Sequence, residues 1–469
     1  MKLSTLIQDV MKGTLATSKD LEDAIEQLIG EIDQLISIQH NEILHHDEFQ
    51  KLEASWRGLY YLVNQTETST MIKIRVLNVA KHELRKDFEK AIEFDQSILF
   101  KKVHDDIYGV FWGEPFGAII GDFEFGSRTH DMRLLEHISH VAAAVHAPFL
   151  SAASSEMFNF DSFTDILNLK NLSNIFENVA YIIWKGFRES EDSRFVGLTL
   201  PHVLMRLPYG PETAPVEAFN FKEDVDGKDH KKYLWGNAAY AVGCCLTNEF
   251  AKYGWWGKMY GPEGGGLVEG LPTYFLNTDD DEFGEKKYST EIAITKRREK
   301  DLRDLGFIPL VRCRGTGLAA FFGMSSCRKP ENYEYAAANT HARLVAQLQY
   351  VLVTSRFAHY LKAIVRDNSH RFRTRQNCED YLNTWLSNYV HHGIWDSASM
   401  SSTAQYPLER GQRIDVKEVH GEPGAYQAVV YIKPQFRLDE LPASLRTIVK
   451  LPPFSHRPME TEGHNSTSA

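Results

Sequence analysis

The stretch "FGAIIGDFEFGSRTHDMRLLEHISHVAAAVHAPFLSAAS", Phe116 to Ser154, indicates a strand, a helix and a second strand in succession. Its outer segments are short and apolar, whereas the middle segment repeats apolar residues at the spacing of a helix that packs by one face. Another apolar strand, "VGLTLP", follows at Val196 to Pro201. Strands that alternate with helices in this way predict an α/β fold, in which helices cover a sheet.

The alternation begins before this stretch. In "MIKIRVLNV", the apolar residues Ile72, Ile74 and Val76 alternate with Lys73 and Arg75. This period of two predicts a half-buried strand, and the charged segment "KHELRKDFEKAIEF" after it predicts a helix.

The alternation also continues toward the carboxyl terminus. The segment "HKKYLWGNAAYAVGCCLTNEFAKYG" predicts a helix that ends at Gly254, and "WWGKMYG" then predicts a strand. Thr295 is a suitable N-cap for the helix "KRREKDLRDLG", Gly306 ends that helix, and "FIPLVRC" predicts the next strand.

The composition is that of an ordinary globular protein of 469 residues, with 43% hydrophobic and 25% charged residues. A formal charge of -11 argues against a protein that mainly coats nucleic acid. No segment predicts a secretory signal or a membrane span. Five cysteines without a zinc-binding spacing indicate reduced thiols in a cytosolic protein.

The amino-terminal region predicts helices with apolar stripes. One stripe alternates steps of four and three residues and consists of Leu21, Ile25, Leu28, Ile32 and Leu35. It resumes at Phe49, Leu52, Trp56, Leu59 and Val63, with Glu53 and Arg57 one turn apart on the outer side. Such a seam fits packing within the chain and packing on a partner helix equally well.

Two glycine-rich segments raise the question of a nucleotide site. "MYGPEGGGLVEGLP", Met259 to Pro272, lacks the lysine of a phosphate-binding loop, and its glutamates would repel an anion. "GTGLAA", Gly315 to Ala320, fits the spacing of a dinucleotide turn, but the aromatic segment after it does not predict a helix. We therefore predict turns at both places and keep a dinucleotide-dependent enzyme as a remote alternative.

Other candidate sites also favour plain structural roles. Histidines cluster at "HHDE" (45–48), at His137 with His140, and at His391 with His392, yet none has carboxylates at a clear metal-ligand spacing. The acidic segments "TDDDEF" and "EDVDGKD" do not match a calcium loop. We predict no metal, no cofactor and no catalytic residues.

The carboxyl-terminal section has a different character. Two helices, about 336–365 and 379–391, precede a strand pair, "RIDVKEV" and "YQAVVYIKP", joined by the turn "HGEPGA". A third strand, "LRTIVKL", follows, and we predict a disordered tail over 455–469. Because exposed strand edges invite pairing, this hairpin could belong to a sheet within the chain or pair with another chain.

Several blocks resemble the large sheath subunit of the bacterial type VI secretion system, the TssC/VipB family. They are "FQKLEASWRGLYYLV", "IKIRVLN", "FRESEDSRFVGLTLP", "RLPYG", "YLWGNAAYA", "GGGLVEGLP", "TEIAIT" with "LGFIPL", and "SRFAHYLK". The resemblance extends from about Ser18 to Leu451, and it departs from the family at the short amino terminus and after Pro453.

The resemblance implies a structural, cytoplasmic protein and the following partners. A small sheath subunit of the TssB/VipA type would co-polymerise with it, and neighbouring copies would form an open helical polymer around an Hcp tube. A baseplate and a ClpV-type ATPase for recycling are further implied partners. Contraction would be a shift between two lattice packings.

The resemblance also assigns candidate surfaces. The stripe at Leu21, Ile25, Leu28, Ile32 and Leu35 becomes a contact with the small subunit. The strand-exchange interface would consist of Ile414, Val416, Val419, Tyr426, Ala428, Val430 and Ile432. Asp439 and Glu440 would contact the inner tube.

The expected organisation has four parts, although the sheath of another phage-tail-like particle remains an alternative. We expect an amino-terminal helical segment over 1–66, an α/β body over 67–370, a carboxyl-terminal sheath domain over 371–454 and the tail over 455–469.

Overall fold

The computed structural model describes residues 18–69, 71–108, 113–169, 171–225, 229–257, 259, 261–275, 287–313, 317–368, 372, 374–390, 407–408, 410–419, 426–432 and 445–451. Its helices are α1 (Ser18–Leu44), α2 (Asp47–Gln65), α3 (Lys81–Lys90), α4 (Thr129–Val145), α5 (Ile182–Glu189), α6 (Ala239–Tyr253), α7 (Lys296–Asp304), α8 (Ala336–Val345), α9 (Leu348–Asp367) and α10 (Arg375–Ser387). Shorter helical turns occupy Phe94–Gln96, Ile98–Phe100, Lys101–Asp105, Asp106–Tyr108, Ser155–Phe158, Phe163–Asn168, Ser173–Phe176, Val179–Tyr181, Asp192–Phe195 and His230–Lys232.

The strands are β1 (Ile119–Phe125), β2 (Phe149–Ala153), β3 (Val196–Leu200), β4 (Val203–Leu204), β5 (Trp235–Gly236), β6 (Leu267–Val268), β7 (Tyr274–Phe275), β8 (Lys287–Tyr288), β9 (Phe307–Arg312), β10 (Ala319–Phe321), β11 (Arg413–Glu418), β12 (Tyr426–Ile432) and β13 (Leu445–Leu451). The main sheet has the order β1-β2-β3-β9-β10-β6. Its first four strands are parallel, and β10 and β6 are antiparallel to their neighbours. The predicted α/β fold is confirmed.

Helices cover both faces of the main sheet. Along β9, Phe307 and Val311 pack into one hydrophobic cluster, together with side chains of α4 and α5. The alternate residues Ile308 and Leu310 pack into a second cluster, together with α2 and α6. This period of two follows from the strand pleat, which points successive side chains to opposite faces. Because helices cover both faces, β2 and β3 are buried along their whole length.

A second, smaller sheet has the order β11-β12-β13 and is antiparallel throughout. Its buried residues form a third cluster with α9, α10 and Trp255. Helix α9 contributes to all three of these clusters. Val351 packs in the first, Leu348 and Leu352 pack in the second, and Phe357 packs under the small sheet.

The ends of α6 and α7 follow the sequence signals. The Thr295 side chain caps α7 by accepting a hydrogen bond from Arg298 N, and Gly254 and Gly306 adopt positive φ after α6 and α7. The helix predicted over 336–365 is interrupted instead. Ala346 O accepts from Ser326 N and Leu348 N donates to Met324 O, so a neighbouring segment takes the backbone bonds there.

Two predicted strands are wrong. Residues 71–79 form no strand, because within the described ranges no neighbouring strand supplies backbone partners; the charges of Lys73 and Arg75 pair with Glu114. Residues 255–257 form no strand either. They follow directly on the end of α6, and the indole N–H of Trp256 donates back to Leu246 O of that helix.

The glycine segment at 259–272 forms a turn that leads into β6. Gly261, Gly265 and Gly270 have positive φ, and a Cβ on Gly266 would lie 2.4 Å from Phe321 O. The second segment leads into β10, which begins at Ala319, pairs antiparallel with β9 and is not a helix. Both predictions of turns are therefore supported where the chain is described; residues 315 and 316 lie outside that part.

Candidate assembly surfaces

Helix α1 exposes much of its apolar side. Of the predicted seam, Ile25, Ile32 and Leu35 are 44%, 51% and 69% exposed, whereas Leu28 is buried. The side chain of Leu21 lies outside the described residues. Ile29, Ile36 and Ile43 were not part of the predicted seam, but they are exposed and form a stripe with Ile25 and Ile32 at steps of four, three, four and seven. This second heptad register is also visible in the sequence: it shares Ile25 and Ile32 with the predicted seam but has Ile29 and Ile36 in place of Leu28 and Leu35.

The exposed apolar surface continues on α2, where Phe49, Leu52, Trp56, Tyr60 and Val63 are exposed. The exposed set includes Tyr60 and not the predicted Leu59, which is half-buried. The opposite side of α2 packs on α6 so closely that a Cβ on Gly58 would lie 2.3 Å from the Tyr240 ring. Helix α2 is therefore fixed on the body by one face while its other face remains apolar and exposed.

A buried ion-pair network fixes the two helices to the body. Arg206 donates to both oxygens of Glu223 at 2.6 and 3.0 Å and to Glu53 of α2 at 2.9 Å. Glu223 also lies 3.2 Å from His45, which follows α1. Burial lowers the pKa of Arg206, but the bonds to Glu223 outweigh it and leave that pKa raised. The motif "RLPYG" thus anchors the amino-terminal helices.

The predicted exchange residues lie mostly in the core of the small sheet. Ile414, Val416, Ala428, Val430 and Ile432 are at most 1% exposed. Tyr426 packs at the margin of their cluster, and Val419 is half-buried just beyond the end of β11. Side-chain contacts of these five with another chain would require the hairpin to leave its own core.

Asp439 and Glu440 lie outside the described residues, as do His391 and His392. The structure therefore gives no position for the predicted tube contact.

The carboxyl edge of the parallel strands, where many α/β proteins bind ligands, holds a charged cluster. His202 lies between Glu124 at 2.9 Å and Glu291 at 2.7 Å, and the ring of Phe163 packs against it. Burial lowers the pKa of His202, but the two carboxylates outweigh it and raise that pKa to about 10. His202 therefore carries a charge that neutralises the buried Glu291 and pairs with the half-exposed Glu124.

The other titratable candidates have comparable structural partners. His140 lies 2.8 Å from Asp192, and His137 stacks on Phe88. Burial raises the pKa of Cys244, Cys327 and Cys378 to about 12, so these thiols stay protonated near neutral pH. In the described residues no group of three or more His, Cys, Asp or Glu side chains could hold a metal ion.

No helix within the described ranges is long and apolar enough to cross a membrane.

Comparison with known proteins gives matches along most of the chain. Residues 26–328 match a family model described as EvpB/VC_A0108, tail sheath N-terminal domain, and residues 337–451 match the corresponding tail sheath gpW/gp25-like domain. The type VI secretion system sheath protein TssC1 of Pseudomonas aeruginosa is 43% identical over 450 residues, which cover 96% of this chain and 90% of that protein.

Two solved structures from the anti-feeding prophage align more weakly. Its six-fold symmetrised baseplate gives a TM-score of 0.33 at 10% identity and covers 88% of this chain and 86% of that one. Its contracted helical sheath gives 0.26 at 11% identity and covers 71% and 66%.

Proposed function

The chain belongs to the VipB family of tail sheath proteins, as a large sheath subunit of the type VI secretion system, and we propose that it polymerises with a small sheath subunit around an inner tube and contracts to propel that tube. The observation that carries this proposal is the 43% identity to a secretion sheath protein along almost the whole chain. Such a role is structural and needs no covalent chemistry from this subunit.

The exposed stripes of α1 and α2 support a contact with the small subunit. Among the side chains that the structure describes, seven isoleucine or leucine residues of α1 and five apolar residues of α2 are exposed, while buried ion pairs anchor the same helices to the body. They are Ile25, Ile29, Ile32, Leu35, Ile36, Ile38 and Ile43, then Phe49, Leu52, Trp56, Tyr60 and Val63. A surface of this size favours burial by another chain. We assign the predicted seam, shifted to include Ile29 and Ile36, to the small subunit.

The small carboxyl-terminal sheet supports contacts between neighbouring copies. An outer strand of this sheet can accept an added strand through its backbone while the apolar residues of β11 and β12 stay in their own core. We propose that strand exchange uses an edge of this sheet, with the predicted residues Tyr426 and Val419 at the margin of their core.

The remaining partners come from the family. We propose an Hcp inner tube contacted by Asp439 and Glu440, a baseplate that starts assembly, a ClpV-type ATPase that recycles the contracted sheath, and a cytoplasmic location. We also retain the division into a helical segment over 1–66, a body over 67–370, a sheath domain over 371–454 and a tail over 455–469.

Co-expression with the small-subunit gene tests both the polymer and the seam. We expect tubes in electron micrographs from the intact chain, and none from the double variant Ile25→Glu/Ile32→Glu, because charged side chains would face the partner helix. Ile92→Glu is the matched control, since Ile92 is 89% exposed outside the stripes and tubes should persist. Normal tubes from the double variant would contradict the seam, and no tubes from the intact pair would contradict the proposed polymer.

A further inference from the structure

Side chains of α10 occupy the outer backbone edge of β11. Asn383 accepts a hydrogen bond from Ile414 N at 2.9 Å through Oδ1 and donates to Ile414 O at 2.8 Å through Nδ2. Two residues further along the strand, Glu379 accepts from Val416 N at 3.0 Å and Arg375 donates to Val416 O at 3.0 Å. The backbone N–H and C=O groups of Ile414 and Val416 point away from β12, and all four are thus hydrogen-bonded to side chains of α10.

These groups are the ones that a new strand would need. In an antiparallel strand, the N–H and C=O groups of alternate residues point to opposite sides. Asp415, between the two, faces β12, where it pairs with Val429. The Asn383 amide offers Ile414 one acceptor and one donor, as the backbone of a neighbouring strand would do.

The fit between helix and strand has a simple geometric basis. Arg375, Glu379 and Asn383 are spaced by four residues, so they share one face of α10 at a rise of about 6 Å per step. Two residues of a strand advance about 6.7 Å, which is nearly the same distance. Buried Cys378, Leu382 and Leu386 hold the helix in this position.

We propose that α10 closes the β11 edge of the small sheet, so that a strand from a neighbouring copy cannot add beside β11. The β13 strand stands at the opposite end of the strand order. This inference rests on the proposed polymer, because it decides which edge such exchange uses. A closed edge prevents a repeating subunit from pairing in a second, incorrect way.

Hydrogen exchange on the purified full-length chain tests the closure directly. In Glu379→Ala/Asn383→Ala we expect the amides of Ile414 and Val416 to exchange about tenfold faster than in the unaltered chain, because each loses its acceptor. Val429 and Val430, inside the sheet, serve as references and should not change. The control Gln376→Ala/Asp380→Ala removes a bond between two exposed side chains of the same helix and should change none of them.

A crosslinking assay tests whether an opened edge accepts another copy. Lys417→Cys places a thiol on the exposed side of β11. With a flexible bis-maleimide we expect dimers through this thiol in the Glu379→Ala/Asn383→Ala background, and far fewer with α10 intact. The chain without Lys417→Cys gives the background from its native cysteines.

The outcomes separate this inference from the polymer proposal. Unchanged exchange at Ile414 and Val416, or equal crosslinking with and without the α10 side chains, would overturn the closure even if tubes form. If the reference amides also exchange faster, the variant Asn383→Asp separates closure from a general loss of stability. It keeps an acceptor for Ile414 N, so the Ile414 amide should still exchange slowly. Fast exchange of that amide would overturn the closure. Neither assay requires tubes, so their absence would reject only the polymer.

Discussion

His202 shows how one side chain links the sheet to the loops above it. Its two nitrogens reach Glu124 in β1 and Glu291 in the segment before α7, and Ser162 donates to the same Glu291 at 3.2 Å. Removal of the imidazole would leave Glu291, which is 7% exposed, without its cationic partner. A buried carboxylate without a partner costs several kcal/mol, so we interpret this histidine as a structural cation.

The raised pKa of His202 predicts how stability depends on pH. The folded value is about 10 and an unfolded histidine has about 6.5, so the stabilisation is complete below pH 6.5 and is lost as pH rises toward 10. Over this window the free energy of unfolding should fall by about 1.4 kcal/mol per pH unit from this group.

Urea unfolding between pH 7 and 9.5 measures that dependence. The variant His202→Gln should show a much flatter pH dependence, although it is less stable at pH 7. His137→Gln is the control, because burial lowers the pKa of His137 and its linkage therefore acts below pH 6.5. Equal slopes for His202→Gln and the unaltered chain would refute the assignment.

At the scale of elements, Arg206 links the amino-terminal helices to the body through Glu53 and Glu223, in addition to the packing of α2 on α6. Arg206→Ala leaves Glu223 buried with no bidentate partner, and we expect a loss of about 3–5 kcal/mol in the free energy of unfolding. Arg206→Lys should restore little of it, because an ammonium group cannot bond both oxygens in the same plane. Faster proteolysis within α1 should accompany the loss.

An exposed ion pair provides the control for Arg206. Arg128 lies 3.0 Å from Glu156, but both side chains are more than half exposed. Arg128→Ala should cost less than about 1 kcal/mol. If Arg206→Ala cost no more than this, the buried ion-pair network of Arg206 would have no special role in anchoring the helices.

The elements also show what the sequence could predict. Strands β1, β2, β3 and β9 and helices α4 and α7 followed from periodicity and caps, because their patterns are local. The segment 71–79, wrongly predicted as a strand, has the same alternation, but strand formation also needs a neighbouring strand, and distant residues determine whether one is present. The break between α8 and α9 depends on bonds to residues 324–326. The closure of β11 by Asn383 was missed for the same reason, since a helix gives no local sign of the strand beside it.

At the scale of the molecule, α9 connects the body and the small sheet through one continuous helix. Its first turn packs under the main sheet through Leu348 and Leu352, and its later turns carry Phe357, Leu361 and Val365 into the other core. Trp255, which follows α6, stacks on Phe357 at 4.7 Å between ring centroids. A displacement of the small sheet in a polymer would therefore be transmitted to the body along a helix and not through a flexible linker.

Phe357→Ala tests whether the two cores unfold as one unit. The side chain is fully buried, so we expect a loss of about 3–5 kcal/mol. If α9 couples the cores, hydrogen exchange in β2 of the body and β12 of the small sheet should lose protection at the same, lower urea concentration. Tyr381→Ala, at a residue 45% exposed on α10, is the control and should shift neither. Loss of protection in β12 alone would show that the small sheet unfolds independently, and α9 would then be a hinge between two separate units.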